Sequence, residues 1–211
     1  GMYSFTQTSA NSYTVTFDNC TSGSGDEQAT FLGSYDMLVE TLTGTLGTSP
    51  YSVALAYSNI DLDVVDDVGP TELAGSLQFS RSVSGTTISE LAIVRRAQPL
   101  TVTKESIFHL IGGASISYTS TGAGSFQIGS ANEGYEFFLH GYSSMFTLRV
   151  VTPITGTMAT GMTAGTLLIE AEDDDSSLTI TIDSGDVEIS IDTDGDDISD
   201  GTLTISWDDL Y

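Results

Sequence analysis

Apolar and polar residues alternate along most of the chain, in short runs bounded by Gly, Ser, Asp or Asn. A period of two is typical of a β-strand with one buried face, and β-branched residues, which favour strands, are plentiful. No segment sustains the 3.6-residue apolar period of an amphipathic helix. The pattern therefore predicts strands in at least seven segments, namely 52–57, 76–79, 88–94, 115–119, 135–139, 146–151 and 166–171.

The C-terminal part allows a strand register to be assigned from the pattern. With Ser184-Gly185 as a two-residue hairpin turn, Ile182 opposes Val187, and a slip of one residue would move every side chain to the other face. We therefore predict a four-stranded antiparallel meander over 166–207. Its expected apolar pairs are Ile182–Val187, Ile180–Ile189, Leu178–Ile191, Ile191–Leu203, Ile189–Ile205, Val187–Trp207, Ile169–Ile180 and Leu167–Ile182.

No Pro-rich or Ser-rich linker divides the chain. We expect residues 1–211 to form a single all-β domain of about twelve antiparallel strands with meander connections, either barrel-like or folded as a β-sandwich.

The charge balance limits the partners and the surroundings. The 211 residues include 29 acidic and 5 basic side chains, for a formal charge of −24 at pH 7. Such a surface repels phosphate backbones, so a nucleic-acid partner is excluded. It also keeps a protein soluble in salty water, which favours an extracytoplasmic location: the periplasm, the outer-membrane surface or the medium. A transmembrane helix is not expected, because no apolar run approaches about 18–20 residues.

The most specific candidate for ligand chemistry is the acidic run 192–200. Carboxylates at alternate positions around a Gly can surround Ca²⁺ with oxygen atoms, as in EF-hand-like loops. Here Gly195 stands one position too early, and Leu203 stands where a bidentate carboxylate is expected. Ca²⁺ is the one cofactor that the sequence suggests, and the alternative is a solvated acidic turn. The candidate ligands are Asp192, Asp194, Asp196 and Asp200.

The densest aromatic run, 135–142, predicts either a strand buried on both sides or an aromatic platform for a neutral ligand such as a glycan. The platform residues would be Phe138, His140 and Tyr142. Glu136, in the same run, is the one acid that the alternation places beside aromatic residues. We assign no catalytic residue, because the two histidines, His109 and His140, have no metal-site spacing and no serine lies in a nucleophile motif.

Two patches carry a resemblance. One is Asp192-Thr193-Asp194-Gly195-Asp196 followed by a strand and Trp207-Asp208-Asp209-Leu210; the other is Phe17-Asp18-Asn19-Cys20-Thr21 followed by Ala29-Thr30-Phe31-Leu32-Gly33-Ser34. Together they resemble uncharacterised secreted proteins and predicted lipoproteins of marine gammaproteobacteria. The resemblance implies a location in the cell envelope, with a lipid anchor outside the given residues as an expectation, and it implies no activity.

The leading hypothesis is a non-catalytic domain of the cell envelope or a secreted domain that binds a protein, a glycan or another small ligand. One alternative is a calcium-stabilised adhesion or glycan-binding module. Another is a carbohydrate-active enzyme, which would require a carboxyl group raised in pKa by burial.

Overall fold

The computed structural model of the protein describes residues 1–23, 28–66, 69–104, 107–139 and 144–206. These residues form strands and turns, and no helix among them is long and apolar enough to cross a membrane. The prediction of an all-β chain is confirmed. The strands are β1 (Met2–Ser9), β2 (Ser12–Ser22), β3 (Ala29–Thr45), β4 (Thr48–Asp66), β5 (Gly69–Ser84), β6 (Thr87–Val94), β7 (Leu100–Lys104), β8 (Ile107–Ser120), β9 (Ser125–Ile128), β10 (Gly134–Leu139), β11 (Met145–Thr157), β12 (Gly161–Ala171), β13 (Ser177–Asp183), β14 (Asp186–Asp192) and β15 (Gly201–Ser206).

All 15 strands belong to one antiparallel sheet, so the predicted meander architecture is confirmed. The sheet order is β1-β2-β3-β4-β5-β6-β8-β10-β11-β12-β13-β14-β15. The two short strands lie beside this path: β7 bridges β5 and β8, and β9 bridges β8 and β11. Within the described residues β1 pairs only with β2 and β15 only with β14, so these two strands form the edges of the sheet.

The seven predicted segments all lie in strands, but the strands are longer than the segments and more numerous than twelve. Asparagines at positive φ allow the extra length, because they create bulges within a strand. Asn19 lies where the β2–β3 register shifts, and Asn59 lies where the β4–β5 register shifts. A bulge interrupts the alternation of side chains while the strand continues. The alternation in the sequence therefore predicts a strand that is shorter than the real one.

The C-terminal meander forms as predicted, with β13 and β14 in the expected register around the Ser184-Gly185 turn. The two outer registers are corrected by two residues each, which keeps every side chain on its predicted face. Ile182 lies opposite Gly165 instead of Leu167, and Ile191 lies opposite Gly201 instead of Leu203. The β14–β15 register follows from a closed loop, because the amide of Asp200 donates to the carbonyl of Ile191 at 2.8 Å. Trp207 lies outside the described residues.

Little of the sheet is buried. The accessible surface is 12,323 Å², whereas a compact monomer of 22.2 kDa exposes about 9,400 Å². One cluster joins Ile154, Ile182 and Val187 across β11, β13 and β14. The buried hydrophobic side chains that the structure describes are Val15, Val53, Val94, Ala114, Val150, Ile154, Ile182 and Val187.

Candidate functional site

The acidic loop between β14 and β15 brings together three of its four predicted ligands. One carboxylate oxygen each of Asp192, Asp194 and Asp200 lies within 4.8 Å of the others. Asp196 is not in this group, and its Oδ1 instead accepts a hydrogen bond from the amide of Ile198 at 2.8 Å. The loop therefore offers a three-carboxylate cluster.

Asp192 organises this loop from its base, where it is only 8% exposed. Its Oδ1 accepts the amide of Gly195 at 2.8 Å and that of Asp194 at 3.2 Å, and its Oδ2 accepts the amide of Asp197 at 3.0 Å. Three N–H donors can offset the desolvation of a buried carboxylate. The burial of Asp192 is thus explained by the loop's own backbone.

Asp200 closes the loop by accepting hydrogen bonds from the hydroxyl and the amide of Thr193, the latter at 2.8 Å. The side-chain hydrogen bond, followed by the amide, holds the pKa of Asp200 below its usual value of 3.8. The carboxylates match the oxygen preference of Ca²⁺, but they supply fewer than the roughly six to eight ligands that the ion takes. Backbone carbonyls or water would have to complete a site here.

A second acidic turn, between β12 and β13, lies against this loop. A Cβ placed on Gly195 would stand 2.7 Å from the Cβ of Asp175, so the two turns are in direct contact. In this second turn, Asp174 accepts the hydroxyl and the amide of Ser176, which lower the pKa of its carboxyl group. Negative charge is therefore concentrated at one end of the sheet.

Of the predicted aromatic platform, only Phe138 lies among the described residues. It belongs to β10, where it is opposite Leu110 of β8 and Met145 of β11. His140 and Tyr142 lie outside the described residues, so the platform stays a prediction.

A different aromatic surface crosses β1 to β4. The rings of Phe17 and Tyr35 are 6.0 Å apart, and those of Tyr35 and Tyr57 are 5.4 Å apart, so three neighbouring strands are in contact. Burial raises the pKa of both tyrosines. The strand registers place all the members on one face, which we call the aromatic face: Tyr3, Phe5, Val15, Phe17, Tyr35, Met37 and Tyr57.

Sequence reasoning missed the aromatic face, although its signal is visible. Tyr13, Val15 and Phe17 alternate with threonines in β2, and Tyr35 and Met37 alternate with polar residues in β3. This face also carries a groove of about 650 Å³ between β2, β3 and β4, with Glu40 as the one acid among its lining residues. Other residues that line it are Tyr13, Met37, Val39, Leu42, Val53 and Leu55.

The opposite face of the same strands carries the carboxylates, and we call it the acidic face. Asp63 lies directly opposite Glu72 across β4 and β5. Asp36 accepts hydrogen bonds from Asn59 Nδ2 and Thr14 Oγ1, both at 2.7 Å, and these lower the pKa of its carboxyl group. The acidic face comprises Asp18, Asp36, Asp61, Asp63 and Glu72.

Glu136, the acid that the sequence placed among aromatic residues, borders an open depression of about 400 Å³. Its side chain is 18% exposed and forms an ion pair with Arg96. Nearby, Glu133 Oε2 accepts the hydroxyl of Ser117 at 2.7 Å and the amides of Ser117 and Ser130 at 2.8 and 3.0 Å. These donors give both carboxylates structural roles in holding β8, β10 and the preceding turn together.

Comparison with known proteins identified no relative of this chain. No family model matches the chain, and neither a curated protein nor a solved structure shows significant similarity to it.

Proposed function

We propose that the chain is a non-catalytic β-domain of the cell envelope, or a secreted one, that binds a partner or small ligand through its aromatic face. The observation that carries the proposal is the concentration of aromatic side chains on one face of β1 to β4, where Tyr3, Phe5 and Leu42 are 64%, 58% and 49% exposed. The carboxylates lie on the other face, and the exposed apolar side chains of that face, which are Met2, Leu32, Leu38 and Val65, stand singly among them. Contiguous exposed apolar surface marks binding sites in soluble proteins.

Three features support the binding role over catalysis. The aromatic face is broad, its groove is lined mainly by apolar side chains, and the partly buried Glu136 is held in an ion pair. The acidic composition and the resemblance to secreted proteins support the location outside the cytoplasm.

A neutral apolar dye such as Nile red tests this role, because the chain's negative charge does not repel it. Leu42 and Leu46 are 49% and 58% exposed at the groove, so the variants Leu42→Ser and Leu46→Ser should keep the fold. We expect saturable dye fluorescence with the dilute wild-type chain and at least a halved signal with either variant. Leu203→Ser, at a 53% exposed position on β15, is the matched control and should leave the signal unchanged.

The proposal is wrong if the wild type, diluted until it sediments as a monomer, gives no fluorescence above that of the free dye. It is also wrong if the three variants lower the signal equally, because the dye would then bind apolar side chains wherever they are exposed.

The second candidate function is the calcium-stabilised adhesion or glycan-binding module, and the observation that favours it is the Asp192, Asp194 and Asp200 cluster. Thermal melting in chelator, in Ca²⁺ and in Mg²⁺ tests it. A ligand that binds only the folded chain stabilises it by about 2.7 kcal/mol at a hundredfold excess over Kd. A Ca²⁺-selective rise in Tm should disappear in Asp194→Asn and persist in Asp173→Asn, which removes the same charge from the neighbouring turn between β12 and β13. Equal, small rises with both ions would mean charge screening and would exclude the module.

The carbohydrate-active enzyme has no comparable observation in its favour among the described residues, and we do not advance it.

A further inference from the structure

We infer that the aromatic face binds a second copy of this chain, so that two sheets pack face to face as a β-sandwich formed between chains. The inference rests on the proposed function and names its partner.

Surface area is the first reason. The chain exposes 12,323 Å², which is about 2,900 Å² more than a compact monomer of its 22.2 kDa. If each copy buried half of that excess, the interface would cover about 2,900 Å² in total, and obligate homodimers bury about 2,000–5,000 Å². A second sheet of this extent would therefore restore about half of the burial that each chain lacks.

Charge placement is the second reason. A formal charge of −24 on each chain opposes association in general. The strand registers, however, place Asp61, Asp63 and Glu72 on the acidic face, away from the surface that would make contact. Packed sheets lie about 10 Å apart, so carboxylates on the two outer faces are separated by more than the Debye length of about 8 Å at physiological salt. The repulsion that remains acts across the dimer and is reduced by salt.

The extent of the exposed surface favours a second sheet, and not a smaller ligand, as the partner of the aromatic face. A small molecule in the groove between β2, β3 and β4 would leave Tyr3 and Phe5 on β1 exposed, at 64% and 58%. A basic partner would be attracted to the acidic face instead. A second copy has the same twist and the same apolar face, and a two-fold axis makes that face self-complementary.

Neighbouring positions on the edge strand β1 provide a matched test. Phe5 is opposite Val15 on the aromatic face, whereas Thr6 is opposite Thr14 on the other face. Phe5→Glu and Thr6→Glu therefore add the same charge to opposite faces of one strand. Leu42 and Thr43, opposite Val53 and Ser52, form a second such pair within β3.

The measurement is sedimentation of the full chain over a wide concentration range, at low and at high salt. We expect the wild type to have twice the 22.2 kDa mass and its dimer to tighten as salt rises. Phe5→Glu and Leu42→Glu should weaken the dimer at least tenfold in Kd, while Thr6→Glu and Thr43→Glu should change it little. Phe5 and Leu42 are about half exposed, so their variants should keep the fold, which circular dichroism checks.

Three outcomes overturn the inference. The wild type could stay monomeric at every concentration and salt level. Phe5→Glu and Thr6→Glu could weaken the dimer equally while both β3 variants leave it unchanged, as pairing of two β1 edges would require. Neither member of either pair could weaken it, which would place the contact elsewhere. If the chain is monomeric and Leu42→Ser still lowers dye binding, the aromatic face remains a binding surface and only the proposed partner is wrong. If the monomeric chain does not bind the dye either, the proposed function and the proposed partner are both wrong.

Discussion

At the scale of single residues, the sheet contains glycine positions where a side chain would collide with a neighbouring strand. Gly165 in β12 lies opposite Ile182 and adopts φ +148°. A Cβ there would stand 2.7 Å from the Cα of Ile154 and 2.9 Å from its Cγ1. The missing side chain is what allows Ile154 of β11 to pack against Ile182 and Val187.

We predict that Gly165→Ala lowers the free energy of unfolding by about 2–6 kcal/mol, from backbone strain of about 1–3 kcal/mol and overpacking of about 1–3 kcal/mol. Gly185→Ala, at φ +108° with open space around it, should cost the strain alone. Urea unfolding of both variants measures the difference. Equal losses would show that Ile154 can move aside.

Asp36 makes stability depend on acid. The hydrogen bond from Asn59, and then the one from Thr14, lowers the pKa of this carboxyl group below 3.8. A group with a lowered folded-state pKa stabilises the fold above its unfolded-state value and loses that contribution as pH falls through the folded-state value. We therefore predict that Asp36→Asn is destabilised at neutral pH, that its difference from wild type begins to shrink below about pH 4, and that the difference disappears only below the lowered folded-state pKa.

The comparison needs a control for charge, because removing any carboxylate relieves repulsion in this chain. Asp61→Asn removes the same charge from the same face, and Asp61 lies opposite Ser34 and Ala74, so no directly opposed carboxylate is relieved. Urea midpoints of both variants at neutral and acid pH check the prediction. If Asp36→Asn is as stable as Asp61→Asn at neutral pH, the hydrogen bonds of Asp36 contribute nothing.

At the scale of elements, the C-terminal meander holds the best-defined core. Ile182 of β13 lies opposite Val187 of β14, and the two are 6% and 4% exposed. Leu203 of β15 lies on the same sheet but is 53% exposed.

We predict that Ile182→Ala lowers the free energy of unfolding by about 2–5 kcal/mol, because it leaves a cavity in a packed cluster. Leu203→Ala should cost less than about 1 kcal/mol, since little apolar area is lost from a half-exposed site. Equilibrium urea unfolding measures both, and a larger loss for Leu203→Ala would place the core of the meander at its outer edge.

The C-terminal meander also shows how much of the structure could be predicted from the sequence. Shifting a strand register by one residue would expose apolar side chains, so the correct face of each strand could be predicted. Shifting it by two residues keeps every side chain on the same face, so the alternation of apolar and polar residues cannot distinguish the two registers. In the observed β12–β13 register Ile182 lies opposite Gly165 and packs against Ile154 of β11, a contact that local spacing cannot reveal. The spacing of residues in the sequence also could not show that the carboxylate of Asp192 accepts hydrogen bonds from the amides of its own loop. The aromatic face arises from strands whose side chains meet only once the sheet has formed.

At the scale of the whole molecule, charge is the dominant constraint. The chain carries 29 acids against 5 bases, and described acids cluster on the acidic face and in the two adjoining C-terminal turns. Self-repulsion of this size favours the unfolded and dissociated states at low salt.

We predict that the urea midpoint rises with salt at neutral pH, because screening reduces repulsion between carboxylates. The rise should largely disappear below about pH 4, where most carboxyl groups are protonated. That acid series is the internal control. A salt effect of equal size at both pH values would mean that salt acts on apolar burial and not on charge.

The described strands follow one path from β1 to β15, with only β7 and β9 beside it, so most of them contact only the strands on either side. Each strand is held by the strands beside it, so stability is close to a sum of nearest-neighbour terms, as in a one-dimensional lattice. Opening then costs least at the two ends, where a strand has one neighbour, and amide hydrogen exchange should be fastest in β1 and β15 and slowest between them. A break in the middle would leave two shorter ladders, each still paired internally, so this protein should be able to lose part of its structure without losing all of it.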